Sequence, residues 1–468
     1  MNSEPGPHTN WWALPVLLGM AFLVFWPALD LTPFSDDHSA LWNAGVRGIP
    51  WRTGIYRPFA DLTFHWGTAL WGSSTFGHRT FNVGVHGLNA FLLFALFIRL
   101  AKRNGLGNAQ SGAWIAALLF LVYPFHQESI VWLVGRESAL GTFFTMIGLL
   151  AVSNERIGWP QVVIASLALF TGLLCYEGTI LLPALAFPIL YARGPGQTHA
   201  SRMLLGFGAA LFAYVAVHLA VGSQVESSYF GGLFSQPVTA YLANIPKVMA
   251  RMFLPPVAEP SAMIWRGVVL GLVLTLTGAW AWFFHRKSEW TKSNVLFAAL
   301  ILLLVIACIQ PVLGGVSTRT SESDRFLYLP SVFLCMLAGL LTLSIPQRLV
   351  RMLVFVGLLI ASTVAMRSNH AHWRSASATT TRILAELPDP PAEGLLFVSG
   401  LPDNDNGAFI FRNGFREAAW LSGRDGERYI EVKGTTRSDT VLFRGDRFVL
   451  RPIDRWVTWE GDGFRAPQ

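Results

Sequence analysis

TFNVGVHGLNAFLLFALFIRL, residues 80–100, is an apolar run of the length that crosses a bilayer's hydrocarbon core, about 20 residues of α-helix. It ends among Arg99, Lys102 and Arg103, cations of the kind retained at the cytoplasmic face. Similar runs recur at approximately 11–31, 111–125, 129–153, 160–176, 178–192, 203–222, 263–284, 294–312, 326–344 and 349–366. The whole chain of 468 residues is 52% hydrophobic and 13% charged, with a mean hydropathy of +0.44. Soluble domains carry roughly a quarter charged residues, so lipid is the solvent here. The fold class expected is an all-α polytopic membrane protein of about 11 transmembrane helices.

The formal charge of +7 is scattered through loops and the C-terminal tail. With no Lys/Arg stripe interleaved with aromatics, it argues against nucleic acid as a partner. Cys175, Cys308 and Cys335 all lie in apolar runs and read as small hydrophobes, neither a disulfide framework nor a metal set. Residues 1–10 lack Lys and Arg, and no small-residue cleavage site follows the first run, so a retained first helix is expected.

An odd number of spans puts the termini on opposite sides. Basic loops at Arg99–Arg103, Arg193–Arg202, Arg286–Lys292 and Arg348–Arg351 then share the cytoplasmic side. Asp36, Asp37, Asp61, Glu128, Glu137, Glu177, Glu226, Glu322 and Asp324 all fall on the other side. Carboxylates contribute little to orientation, so their collection at one face suggests a site there. The domains expected are a transmembrane unit, 1–366, a linker, 367–384, and a small β-rich extracytoplasmic domain, 385–468, with alternating runs such as Val441–Leu450 and Trp456–Trp459. Within the first, the outer loop 31–79 carries an acidic pair. The outer loop 222–262 carries an amphipathic segment, Val238–Leu254, suited to the interface.

Phe34-Ser35-Asp36-Asp37-His38 sets two carboxylates side by side just beyond a span. One can serve as a general base while its neighbour orients it or binds a metal, although Ser-Asp-Asp is also good helix-capping chemistry. Tyr56-Arg57-Pro58-Phe59 offers a planar cation on rigid backbone, suited to phosphate or to interfacial anchoring. His78, Asn82 and His86 are spaced i, i+4, i+8 on one helical face, as are Glu128, Trp132 and Arg136. For the first set interhelical hydrogen bonding is the plainer reading, and for the second a structural ion pair. Glu177 is a lone carboxylate between two apolar runs, and Arg325 and Tyr328 follow Glu322-Ser323-Asp324 at i, i+3.

Taken in order, Phe34–His38 with Ala40 and Asn43, Tyr56–Phe59, His78–Asn82–His86, Pro124–Glu128 with Gly135-Arg136, Tyr176-Glu177-Gly178 and Glu322–Ser331 resemble the membrane region of the transmembrane, tetratricopeptide-repeat-containing O-mannosyltransferases and their bacterial relatives, of the GT-C superfamily. The resemblance covers about Leu31 to Ser331. It implies a GT-C fold, a polyprenyl-phosphate sugar donor, and an extracytoplasmic site under the first outer loop, in what we expect to be a bacterial inner membrane. Asp36 and Asp37, with Glu128, would then be catalytic, and Arg57, Arg136 and Arg325 would bind the donor phosphate. His38, Tyr56, His78, Asn82, His86, His126, Glu177, Glu322 and Tyr328 would line the substrate pocket. A divalent metal, Mg or Mn, is compatible with Asp36, Asp37 and Glu128. Two departures stand out: Tyr123-Pro124 replaces the family's frequent His-Pro, and the repeats give way to the C-terminal domain, leaving a protein or a glycan or lipid acceptor open.

The expected activity is single-displacement transfer of a sugar to an acceptor hydroxyl, with inversion. Its rivals are an O-antigen ligase or polymerase, whose catalytic loop tends to come late in the chain, and a lipid or glycan transporter. A transporter calls for mid-membrane charges and paired halves, which this sequence lacks.

Overall fold

The computed structural model describes residues 10–47, 56–191, 197–222, 237–256, 292–309, 316–433 and 440–466 apart from 445, with isolated positions 267, 271 and 278. The expected span 263–284 and parts of both outer loops lie outside the described residues. Among those described, apolar helices stand at each of the other expected spans. Thr75–Arg103, Ala200–Val221, Asp324–Leu343 and Arg348–Glu386 are long and apolar enough to cross a membrane, and shorter apolar helices accompany them. The molecule is therefore read as a mostly helical integral membrane protein.

Thr75–Arg103 is the central post, packed against Ala13–Phe25, Ala109–Leu121 and Arg136–Val152. Lipid gives apolar faces no hydrophobic reason to associate, so close packing at small residues does the work. Where Ala109–Leu121 crosses Tyr328–Leu343, a Cβ on Gly339 would sit 2.7 Å from the Gly112 carbonyl oxygen. By contrast the first half of Arg348–Glu386 presents Leu349, Leu353, Ile360 and Val364 outward, the pattern of a lipid-facing span.

Three local readings change. Residues 129–153, expected as one span, divide into a short helix Gln127–Ile130, a tight turn, and a helix Arg136–Val152. The turn folds so closely that a Cβ on Gly135 would lie 1.9 Å from the Glu128 carbonyl oxygen. Glu128, Trp132 and Arg136 therefore do not form a stripe on one helix. Residues 367–384, expected as a linker, are helical, because Arg348–Glu386 runs on unbroken past the apolar segment. Its outer half is fixed by Trp373, which is buried and meets Phe34 edge-on.

The C-terminal unit is β-rich, as expected, and includes a short helix. Strands Tyr429–Val432, Leu396–Ser399 and Arg455–Trp459 lie parallel in that order, and Phe464–Arg465 adds an antiparallel edge. Parallel neighbours need a crossover, supplied between the first two by helix Phe415–Leu421. The alternating run near Val441–Leu450 is an antiparallel hairpin, Thr440–Phe443 with Asp446–Val449.

Gly339→Leu should separate the Gly112 crossing and lower the detergent-solubilised melting temperature by several degrees, read by fluorescence-detected size exclusion after heating. Substituting the lipid-facing Leu353 by Ile should leave it unchanged.

Candidate active site

Asp36 and Asp37 open the helix Asp36–Trp42 and differ sharply in environment. Asp37 is fully buried. One carboxylate oxygen accepts the Phe34 N–H at 3.1 Å and the other accepts the Val134 N–H at 3.0 Å. Burial pushes its carboxyl up to about 7, against the pull of the Arg79 guanidinium and these N–H groups. Asp36 keeps part of its side chain exposed. His38 is buried against the Phe411 ring, and burial pushes its imidazole down to about 3, so it is neutral.

Four guanidinium groups are engaged in different ways, Arg79 and Arg136 within electrostatic reach of Asp37. Arg79 joins chain segments, donating to the carbonyls of Val131 at 2.9 Å, Thr32 at 2.6 Å and Leu31. Arg136 is fully buried and lies 3.9 Å over the Phe64 ring, with bonds to the Leu133 and His78 carbonyls. That closure leaves Arg136 no face for a donor phosphate, so its expected role gives way to a structural one. Arg57 bonds Glu177 through two nitrogens, at 3.0 and 2.6 Å, and also pairs with Glu137. Burial opposes its charge, but the two carboxylates outweigh burial and hold its pKa well above the ordinary value. Arg325 pairs with Glu128, whose other oxygen accepts the Arg325 backbone N–H at 2.9 Å. Its guanidinium sits over Trp132 and Phe326, at 5.3 and 4.9 Å.

Tyr176 connects the last two clusters. The Arg57 guanidinium lies 5.2 Å over its ring, and Arg325, Glu177 and Glu128 lie within its electrostatic reach. Tyr176 and Arg325 line a common cleft with the hydroxyl-bearing Ser138, Thr142 and Thr179. The rest of the lining, including Leu181, Phe326 and Leu329, is apolar, so a part-exposed cation and a phenol share a largely apolar cleft, an arrangement suited to a ligand with both a charged and an apolar part.

Several expected pocket residues serve the bundle instead. His86 Nδ1 meets the Tyr328 hydroxyl at 2.7 Å, and Asn89 donates to the same oxygen at 3.2 Å. His126 Nε2 meets Ser331 Oγ at 2.7 Å. Asn82 donates to the Ile130 carbonyl, and His78 Nε2 meets the Gly72 carbonyl. These groups lock helices together because an unpaired polar group in hydrocarbon is costly. Tyr56 packs edge-on to His218, and Glu322 accepts from Asn404 and pairs with Arg412 of the C-terminal unit. Arg325 and Tyr328 serve different places: Arg325 pairs with Glu128, whereas the Tyr328 hydroxyl meets His86 and Asn89. The metal expectation does not fit this donor set: Glu128 is committed to Arg325 and Asp37 to backbone N–H groups. Among the described residues no three His, Cys, Asp or Glu side chains converge.

The sequence reading passed over Arg79, Asn89, Tyr176 as a cleft residue, and the buried pair of Arg251 with Asp324. Arg79 and Asn89 had a visible signal, as polar groups on the same span as His78 and His86.

These features define a helical membrane protein with paired arginines and carboxylates gathered beside a cleft. In sequence it is similar to protein O-mannosyl-transferases, so the resemblance seen in the motifs is met by independent matches. TMTC3 of Mus musculus is 23% identical over 408 residues, covering 76% of this chain and 42% of the relative. TMTC1 of Homo sapiens is 31% identical over 164 residues, 31% of this chain and 18% of the relative. F38B6.6 of Caenorhabditis elegans is 30% identical over 114 residues, 24% of this chain and 16% of the relative. The chain thus spans less than half the length of these curated relatives. No family model matches. Among solved structures, the archaeal oligosaccharyltransferase AglB from Archaeoglobus fulgidus aligns with a TM-score of 0.47 at 11% identity, covering 91% of this chain and 65% of AglB. ArnT from Cupriavidus metallidurans, bound to undecaprenyl phosphate, aligns at 0.34 and 14% identity, covering 92% and 87%.

Asp37 gives a pH signature. Its folded-state pKa, about 7 against 3.8 for the free side chain, means that the folded protein binds the proton more tightly. Its contribution is complete below pH ~4 and is lost as pH rises through about 7. The melting temperature of wild type relative to Asp37→Asn should therefore rise as pH falls from 7.5 to ~4.5. A pH-independent difference between the two would refute this account of Asp37.

Proposed function

We propose that this protein is a membrane glycosyltransferase. It moves a sugar from a polyprenyl-phosphate donor to an acceptor hydroxyl at the extracytoplasmic face, with inversion at the anomeric carbon. The observation that carries the reading is Arg325, held by Glu128 and open to the cleft that Tyr176 also lines. An arginine kept in place by a buried carboxylate is prepared to receive the negative charge of a departing lipid phosphate without rearranging. The similarity to protein O-mannosyl-transferases supports the same reaction class.

The two adjacent carboxylates take different parts. Asp37, buried with both oxygens accepting backbone N–H groups, anchors the helix. Asp36, part-exposed at the first turn, is the general base. Its carboxylate accepts the proton of the acceptor hydroxyl as that oxygen bonds to the anomeric carbon. On the opposite face the bond from that carbon to the phosphate oxygen breaks, and its electron pair leaves with the lipid phosphate. Arg325 stabilises that leaving group, and Arg57, neutralised by Glu137 and Glu177, shapes the cleft around Tyr176. No metal is needed for this step, since a single displacement asks only for a base and a stabilised leaving group.

The topology that goes with this reading has about eleven spans. The unit 1–366 forms the membrane bundle, and the C-terminal unit 385–468 stands on the extracytoplasmic side, in a bacterial inner membrane. Acidic residues gathered toward one face, and the basic loops toward the other, support it.

Purified protein given radiolabelled polyprenyl-phosphate sugars should release the lipid phosphate. Asp36→Asn should lower kcat about 100-fold or more, the scale of a lost general base. Asp36→Asn turnover equal to wild type would remove the assigned base, and Arg325→Gln turnover equal to wild type would remove the leaving-group role.

A further inference from the structure

Ser35, the residue before the acidic pair, has φ +45°, a region that non-glycine residues rarely occupy. Such a conformation persists only where its surroundings over-determine it. Here those surroundings come from the far end of the chain. The Ser35 N–H donates to the Ile410 carbonyl at 2.9 Å, and the Asn413 N–H donates to Ser35 Oγ at 3.1 Å. Gly414 presses so near that a Cβ on it would stand 2.4 Å from the Ser35 carbonyl oxygen, and its own φ is +80°.

Rings extend the grip along the acidic helix. His38 lies flat against Phe411, 5.9 Å between centroids at 18°. Trp42 stacks on Trp420 at 4.4 Å and 13°. The same C-terminal unit also holds the loop leading to Arg325. Ser321 Oγ donates to the Asn406 carbonyl at 2.7 Å, and Asn404 donates to Glu322 at 2.9 Å. One small unit therefore braces both the carboxylates and the loop that carries the cation.

We propose that the segment Ile410–Gly414 is a positioning clamp, which fixes Ser35 in its strained conformation and so sets where Asp36 points relative to Arg325. Released, Ser35 relaxes toward ordinary backbone angles and the first turn of the acidic helix rotates with it. Small misplacements of a reacting group cost large factors in rate, so the clamp acts on kcat rather than on donor binding. The inference rests on Asp36 being the base, but the clamp itself can be tested separately.

The test uses the full-length protein in detergent or nanodiscs, with Ser35→Ala and Gly414→Ala. Arg451→Ala, which removes an exposed guanidinium paired with Asp454 away from Ser35, serves as the control. Hydrogen–deuterium exchange across residues 34–42 should quicken in Gly414→Ala, and at Asn413 in Ser35→Ala. With a polyprenyl-phosphate sugar, kcat should fall about tenfold or more in both, while KM for the lipid donor stays within about twofold. Arg451→Ala should change none of these. If Gly414→Ala loosens the whole 396–459 sheet as well, Ser35→Ala decides, since it alters no residue of that unit. Unchanged exchange in both variants overturns the clamp, as does a loss carried by KM alone. A wild-type protein without turnover counts against the enzymatic reading, while the exchange comparison still decides the clamp.

Discussion

Charge compensation beside the bundle is the constraint on which the rest depends. Asp37, Glu128, Arg79, Arg136, Arg251 and Asp324 are all buried, and an isolated charge there would be prohibitively expensive. The carboxylates are resolved by partners from distant parts of the chain: Glu128 by Arg325, Asp324 by Arg251, Asp37 by the Val134 amide. These partnerships draw the first loop, the turn after Gln127 and the segment before Tyr328 to one place. Packing among the apolar helices does not by itself choose that arrangement, because lipid solvates apolar faces as well as protein does.

Burial separates groups that only hold the structure from one that also reaches the cleft. Arg136 and Arg79 spend their donors on carbonyls, and Asp37 spends its oxygens on amides. Arg325 is different: bonded to Glu128 on one side, it still borders the cleft. A site needs a charged group at its cleft, and it needs the buried groups around it to keep its geometry fixed. Exposure, rather than the number of charged residues, sets them apart: Asp36 is partly exposed and Arg325 borders the cleft, whereas Asp37 and Arg136 are buried.

Polar groups deeper in the bundle follow the same rule. His86, Asn89, His126, Tyr328 and Ser331 bond among themselves, so the polar stripe of the central helix is spent on helix pairing. The C-terminal unit completes the picture from outside the bundle. It stands on the extended helix Arg348–Glu386 and reaches back to Ser35 and Ser321, making the acidic helix a surface shared between the two ends of the chain.

The sequence by itself determined the membrane class, the presence of apolar helices at the other expected spans among the described residues, and the cast of charged residues, because hydropathy and helical period are local properties of consecutive residues. It also exposed Asp36 and Asp37 as a pair, since adjacency is visible in one dimension. What it could not decide was partnership. The stripe read through Glu128, Trp132 and Arg136 assumed a continuous helix, and the close turn at Gly135 breaks it. Glu322 looked like a pocket residue until Asn404 and Arg412 took its oxygens, from a unit whose parallel strands the alternating pattern had not revealed. Tertiary structure settled these points because hydrogen bonds and ion pairs join residues hundreds of positions apart, and only their geometry says which charge is already spent.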